Sequence, residues 1–182
     1  MNAGKRRAAV FLDRDGVLNR SLLVNGKPHA PRTLAEFELL PGVGDALGEL
    51  KAAGFALVVT TNQPDVRTGK SNRRDVEAIH DRLKREFPID AVYACYHVDA
   101  DGCDCRKPKP GMLIEAARTL ELDIAASFMV GDRWRDVGAG RAAGCGTVFI
   151  DLGYAEAMPE MPDHVVADLP AAASTILALV RT

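Results

Sequence analysis

Long apolar runs are missing from this chain. No stretch approaches the roughly 18 apolar residues needed to span a bilayer, so no membrane partner is expected. Neither sign of charge is in surplus: 23 Lys and Arg stand against 25 Asp and Glu, a formal net charge of −2. That balance removes the broad basic footprint of a dedicated nucleic-acid binder, while leaving room for a small anionic substrate held by a few local cations. Cysteine is scarce, with 4 in 182 residues. Three of them, Cys95, Cys103 and Cys105, crowd together, and Cys145 stands alone. A secreted disulfide scaffold spreads its cysteines over a shorter chain, so a metal site in a reducing compartment is the better reading. The basic start, Met1-Asn-Ala-Gly-Lys-Arg-Arg7, is followed only by Ala8-Ala-Val-Phe-Leu12. A signal peptide needs about 7–15 apolar residues there, so the expectation is a cytoplasmic protein. Internal repeats, low-complexity tracts and interdomain linkers are absent too.

What is present is an ordinary globular composition, 47% hydrophobic and 26% charged. The length fits one domain, residues 1–182, long enough to bury about 70% of its extended surface. Short β-branched runs alternate with longer helical stretches. Strands are predicted at about Ala8–Leu12, Ala56–Thr60, Ala91–Tyr96, Phe128–Gly131, Thr147–Ile150 and His164–Val166. Helices are predicted at about Gly44–Ala53, Asn72–Phe87, Pro110–Glu121, Trp134–Ala143 and Pro170–Val180. Ser71 is placed to cap the second helix and Pro110 to open the third, while Gly54 and Gly144 follow helical stretches. Near-continuous apolar strands alternating with helices imply a three-layer α/β fold, a doubly wound and mostly parallel sheet.

In such sheets ligands bind beyond the carboxyl ends of the strands. Four predicted strands end in polar clusters: Asp13-Arg-Asp15-Gly16, Thr60-Thr61-Asn62-Gln63, Arg106-Lys107-Pro108-Lys109 and Gly131-Asp132-Arg133-Trp134-Arg135-Asp136. Asp13, Asp15 and Asp132 would bring three carboxyls together, an oxygen-rich set suited to Mg²⁺. Lys107 and the Thr61 hydroxyl then remain as donors for a phosphoryl group. A carboxylate is a known nucleophile toward phosphorus, and a cation with a metal offsets the charge that would repel it.

The second signal is Cys95-Tyr-His97, five residues, then Cys103-Asp-Cys105. Cys95, His97, Cys103 and Cys105 form a closed set of three thiolates and one imidazole, as structural Zn²⁺ prefers. With no position left for water, this loop at about 95–105 has no direct chemistry assigned. Its expected work is to fix the segment that delivers Arg106 and Lys107. Free thiols or an adventitious disulfide are the alternative.

These motifs, in order, resemble the four motifs of the haloacid dehalogenase (HAD) superfamily, phosphatase branch, over residues 8 to 136. The resemblance implies that Asp13 forms an aspartyl-phosphate, and that Asp15 protonates the leaving oxygen and later deprotonates water. It implies that Thr61 and Lys107 hold the phosphoryl oxygens. It also implies that Asp13, the Asp15 backbone carbonyl and Asp132 coordinate Mg²⁺, with Asp136 a further candidate acting through water or by orienting Lys107. Phe11-Leu-Asp-Arg-Asp-Gly-Val-Leu-Asn19, Thr61-Asn-Gln63 and Cys105-Arg-Lys-Pro-Lys-Pro-Gly-Met112 resemble a small subgroup without a cap domain, which carries a zinc loop at this place. Its members act on heptose 1,7-bisphosphate or on histidinol phosphate. By that match Asn62, Gln63, Arg106 and Arg133 are substrate-contact candidates. Lys107-Pro-Lys-Pro-Gly-Met112 favours the heptose substrate, whereas the short gap between His97 and Cys103 favours histidinol phosphate. Asp65, in Pro64-Asp-Val-Arg-Thr68, departs from the subgroup and would repel a phosphate if it pointed inward.

Other residues carry plainer readings. Gly42-Val-Gly44…Gly48 and Gly138-Ala-Gly140…Gly144 do not fit a dinucleotide-binding spacing, since the last interval is one too long. His29, His80 and His164 are expected as surface or packing residues, and Cys145 as a buried thiol. Trp134 reads equally as pocket wall or packing. The arginines from Arg67 to Arg85 suggest a solvated helix face, with Arg67 and Lys70 near enough in sequence to reach a distal phosphate. A monomer is expected. A catalytically silent binding module is the competing class, and replacing Asp13 by Asn distinguishes it, because a silent module has no activity to lose.

Overall fold

The computed structural model describes residues 6–181. Residues 1–5, most of the basic N-terminal stretch, lie outside the described residues. Six parallel strands form one sheet in the order β5-β4-β1-β6-β7-β8. They are β1 (Arg7–Leu12), β4 (Ala56–Asn62), β5 (Ala91–Cys95), β6 (Leu122–Gly131), β7 (Gly146–Ile150) and β8 (His164–Val166). Five α-helices alternate with them: α1 (Val43–Ala52), α2 (Arg73–Glu86), α3 (Gly111–Thr119), α4 (Trp134–Ala143) and α5 (Leu169–Val180). Among the described residues no helix is long and apolar enough to cross a membrane.

The period-2 alternation of β1 divides the core. Val10 and Leu12 face one apolar cluster with Leu47, Leu50, Ile79, Leu83 and Ile176, contributed by α1, α2 and α5. Ala9 and Phe11 face the other, with Met112, Leu113, Ala116 and Ala139 from α3 and α4. Helices on both faces explain why the strands read as unbroken apolar runs. Each fully buried Leu or Phe contributes about 1.5–3 kcal/mol of transfer free energy. The central strands are thereby held rigidly, and so are the residues at their ends.

Two local expectations are corrected and one element is added. Asn72, not Ser71, caps α2: its side chain accepts from the Arg74 backbone N–H at 2.9 Å, while Ser71 Oγ donates to the Arg32 carbonyl. β6 begins at Leu122, six residues before its expected start, because a register shift lets the strand continue through a bulge. Ser127 bridges that bulge, taking the Ala9 N–H and donating to the Asp123 carbonyl. An antiparallel hairpin, β2 (Leu22–Val24) and β3 (Lys27–His29), was not foreseen. Its signal was legible: Asn25-Gly26 take φ +52° and +73°, the positive pair that a two-residue type I′ turn requires.

Candidate active site

Four segments meet at the carboxyl edge of the sheet. Asp13 follows β1, and its backbone N–H donates to the Val130 carbonyl at 2.9 Å, tying it to β6. Asp132 follows β6, Asp136 lies in the first turn of α4, and Lys107 comes from the loop after β5. Lys107 Nζ donates to Asp13 Oδ1 at 3.0 Å, to Asp136 Oδ1 at 2.6 Å and to the Thr60 carbonyl at 2.7 Å. All the donors of the ammonium are therefore used within the protein. Carboxylate oxygens of Asp13, Asp132 and Asp136 lie within 4.8 Å of one another, and all three residues are buried.

One ammonium among three buried carboxyls leaves an acid excess. Burial, then Asp136, pushes Asp13 up to about 6, against the pull of Lys107. Burial, then Asp13 and Asp136, pushes Asp132 well above the carboxylate range. Burial works against the charge of Lys107, but Asp13 and Asp136 outweigh it and hold the ammonium above the ordinary lysine range. Neither oxygen of Asp132 has a hydrogen-bond partner of good geometry, and the nearby Tyr154 hydroxyl only partly offsets the rise. A buried carboxylate left so costs several kcal/mol, and a hard divalent cation with oxygen ligands fits the vacancy in its bonding. Gly16, at φ +85°, abuts the same carboxylate, and an added Cβ would fall on Asp132 Oδ2.

Asp15 turns its carboxylate away from this cluster. Oδ1 accepts from Arg14 Nε at 3.1 Å and Asn19 Nδ2 at 2.9 Å; Oδ2 accepts from Arg14 Nη2 at 3.1 Å and Gln63 Nε2 at 2.7 Å. Its side chain is absent from the oxygen cluster of Asp13, Asp132 and Asp136. Gln63 Nε2 also donates to Thr61 Oγ1 at 2.9 Å, linking Asp15 to the buried threonine. Arg14 is fully buried, and its Nη1 lies 3.1 Å from His80 Nε2. A guanidinium only donates, so this imidazole nitrogen is the acceptor. Burial, then Arg14, lowers the His80 pKa to about 3, so the ring is neutral.

A cleft of about 210 Å³ opens over these groups. Asp13, Asp15, Lys107, Asp132 and Asp136 form its floor, and Asn62, Gln63, Asp65, Arg133 and Arg135 line it with Pro28 and His29 of the hairpin. Beside it stands the sulfur cluster. Cys105 Sγ lies 3.2 Å from Cys95 Sγ and 3.4 Å from Cys103 Sγ, and Cys95 and Cys103 are 3.7 Å apart. His97 Nδ1 is 3.3 Å from Cys105 Sγ and 3.5 Å from Cys95 Sγ. A tetrahedral zinc with bonds of about 2.3 Å has sulfur–sulfur edges of about 3.8 Å, close to this spacing. All four cysteines are free, so no disulfide competes.

Comparison with known proteins agrees with this geometry. A family model described as HAD-hydrolase-like matches residues 104–172. The chain is 39% identical to the D-glycero-beta-D-manno-heptose-1,7-bisphosphate 7-phosphatases of Salmonella typhi and Escherichia coli K12. Those alignments cover 90% of this chain and 94% and 92% of the relatives. Among solved structures, the D,D-heptose 1,7-bisphosphate phosphatase of B. bronchiseptica, complexed with magnesium and phosphate, superposes with a TM-score of 0.81 at 33% identity. That superposition covers 94% of this chain and 99% of the neighbour. The chain belongs to the HAD-like phosphatase family.

The phosphatase brings Asp13, Lys107, Asp132 and Asp136 into direct mutual contact or proximity, with Asp15, Asn62, Gln63 and Arg133 around the same cleft. Asp136 orients Lys107, and its other oxygen accepts the Arg133 backbone N–H at 3.0 Å. Asn62 clamps the Lys107 backbone with both ends of its amide. Arg106 is not brought to the cleft; its Nε donates to Asp99 Oδ1 at 2.8 Å. Arg67 approaches Asp101 and Trp134 stacks under Arg135, neither of them lining the cleft. Asp65 does line it. Arg14, Arg135 and Tyr154 were missed. Arg14 and Arg135 sit inside the quoted motifs, but nothing in spacing distinguishes them from solvated arginines.

Proposed function

We propose that this phosphatase removes the 7-phosphate of D-glycero-D-manno-heptose 1,7-bisphosphate, using Mg²⁺ and an aspartyl-phosphate on Asp13. The observation that carries the reading is the unpartnered, buried Asp132 carboxylate beside Asp13 and the fully engaged Lys107. Mg²⁺ would be held by Asp13, Asp132 and the Asp15 carbonyl, and when bound it supplies the positive charge that lets one anion approach another. Asp13 attacks phosphorus through a carboxylate oxygen as the phosphorus–oxygen bond to the sugar breaks. The leaving oxygen takes a proton from Asp15. In the second half Asp15 removes a proton from water, whose oxygen attacks the aspartyl-phosphate and frees Asp13. Lys107 and Thr61 are assigned to the phosphoryl oxygens, Lys107 by exchanging one of its contacts within the protein for a phosphoryl oxygen, and much of the acceleration is positioning and electrostatics. Asn62, Gln63 and Arg133 are assigned to the substrate, and Arg106 is withdrawn from direct contact by its tie to Asp99.

Cys95, His97, Cys103 and Cys105 are assigned to a structural Zn²⁺ that stiffens the loop before Lys107. The chain, 1–182, is read as one cytoplasmic domain acting on a small phosphorylated sugar. The deciding experiment compares phosphate release from the heptose bisphosphate and from histidinol phosphate with Mg²⁺ present. A heptose preference of about a hundredfold in kcat/KM, about 2.7 kcal/mol of transition-state discrimination, is expected. The reverse preference would transfer the enzyme to histidinol phosphate, the substrate that the short Cys/His loop favours.

A further inference from the structure

Charge around the cleft is matched unevenly. Arg133, which lines it, is paired with Glu156, through Nε at 2.8 Å and Nη2 at 2.5 Å. At Arg135, which also lines it, two guanidiniums share one carboxylate. Asp99 Oδ1 accepts from Arg106 Nε at 2.8 Å and from Arg135 Nη1 at 3.0 Å, and Asp99 Oδ2 accepts from Arg135 Nη2 at 3.0 Å. Two cations against one anion leave this Arg106–Asp99–Arg135 group one positive charge in excess.

The two arginines are not equivalent. Arg106 does not line the cleft, and its Nη1 is buried without a partner. Arg135 does line it, and its Nη1 also donates to the Lys107 carbonyl at 3.3 Å. The guanidinium rests on the Trp134 ring at 4.6 Å. It is therefore fixed by a two-pronged carboxylate, a carbonyl and an aromatic face, with N–H groups left over. Holding a guanidinium in this way removes rotamer freedom before any ligand arrives.

Asp99 opens the short 3-10 turn Asp99–Asp101, between His97 and Cys103. The Val98 N–H donates to Asp101 Oδ2 at 2.8 Å, which closes the turn. The carboxylate that aims Arg135 thus rides on the segment enclosed by the Cys/His cluster.

We propose that Arg135 binds the second, non-reacting phosphate of a bisphosphorylated sugar, and that Asp99 is the positioning residue that holds Arg135 toward the cleft. This inference rests on the bisphosphate reading above. The reacting phosphate is assigned to Lys107, whose backbone carbonyl Arg135 touches, so Arg135 is tied to the same segment that delivers Lys107 and lines the same cleft. An anion at Arg135 completes the charge that Asp99 leaves unmatched.

The test measures kcat and KM on heptose 1,7-bisphosphate and on an aryl monophosphate for wild type, Arg135→Gln, Arg135→Lys and Asp99→Asn. For Arg135→Gln the ratio of kcat/KM for the bisphosphate to that for the aryl phosphate falls about tenfold, mainly through KM, the loss expected for a charge-assisted contact. Arg135→Lys recovers part of that ratio, since it keeps the charge and loses the fork. Asp99→Asn gives a smaller fall of the same kind. Equal losses on both substrates in Arg135→Gln, or an unchanged ratio, overturn the inference. A fall in kcat alone on both substrates in Asp99→Asn removes the positioning role. A wild-type enzyme with no preference for the bisphosphate overturns the substrate reading and this inference together, whereas a wild-type preference that survives in Arg135→Gln overturns only the inference.

Discussion

The carboxylate cluster and the Cys/His cluster are both concentrations of metal-type ligands, and they are built in opposite ways. Asp13, Lys107, Asp132 and Asp136 come from three separate parts of the chain and are buried at strand and helix ends. Cys95, His97, Cys103 and Cys105 come from the end of β5 and the loop that follows it; Cys95 is buried, Cys103 and Cys105 are half-exposed and His97 is exposed. The first is organised by the sheet and contains its own cation, Lys107. The second has no ammonium or guanidinium among its ligands and relies on local chain closure. The first should therefore fail globally when its charge balance is broken, and the second locally.

The largest effect is expected from Lys107→Met. It leaves Asp13 and Asp136 buried with no counter-charge, and breaking a buried ion pair costs about 3–5 kcal/mol. Thermal unfolding should show a drop of many degrees, with phosphatase activity lost. A variant that keeps wild-type stability would mean that the carboxyls are protonated in the resting enzyme and that the ion pairs of Lys107 matter little.

Cys103→Ser should do less. Zinc content is expected to fall from about one per chain to near none, with stability lowered by about 2 kcal/mol because only one loop loosens. Metal analysis and thermal unfolding check this together. The rise in Tm on adding Mg²⁺ should survive in this variant, since the carboxylate cluster does not use the loop's sulfurs.

The smallest effect separates the two clusters by pH. Asp13 titrates near 6 in the fold against an ordinary value of 3.8. Between those values the folded protein keeps a proton that the unfolded chain has shed. The group therefore favours the fold at acid pH and loses that contribution as pH rises through about 6. A divalent cation competes for the same oxygen, so Mg²⁺ should raise Tm by a few degrees at pH 7.5 and by less at pH 5. Buried His80 opposes this trend in the protein without added metal: its pKa is lowered to about 3, so its stabilisation is lost as pH falls below the ordinary histidine value of 6.5. Taking the difference with and without Mg²⁺ at each pH removes that contribution. An equal Mg²⁺ increment at both pH values would show that Asp13 is ionised throughout.

The comparison also explains what was legible. The Cys/His cluster could be read from spacing because a stretch of eleven residues has few ways to fold without bringing these four side chains together. All six sheet strands were placed because β-branched apolar runs between helical stretches leave little choice of layer order. The hairpin was overlooked although Asn25-Gly26 announces it, because its strands are short and it packs beside the cleft rather than in the sheet. The resemblance of Cys105-Arg-Lys-Pro-Lys-Pro-Gly-Met112 to the cap-less subgroup implies Arg106 as a substrate contact, yet adjacent residues in an irregular loop point in different directions. Its side chain meets Asp99, and Arg135, four residues beyond the β6 terminus, takes the cleft-facing position.

By itself the sequence determined the layer architecture, the edge of the sheet where polar side chains collect, and the donor-atom types that cluster there and in the Cys/His segment. These follow from periodicity and from donor atoms, which are properties of short segments. Only the tertiary structure decided how charge is shared. Lys107 spans Asp13 and Asp136, Asp132 is left without a partner, Arg14 and Gln63 hold Asp15 aside, and one Asp99 serves two arginines. Electrostatic energy depends on separation and on exclusion from water, and neither is set until residues distant in sequence are packed together.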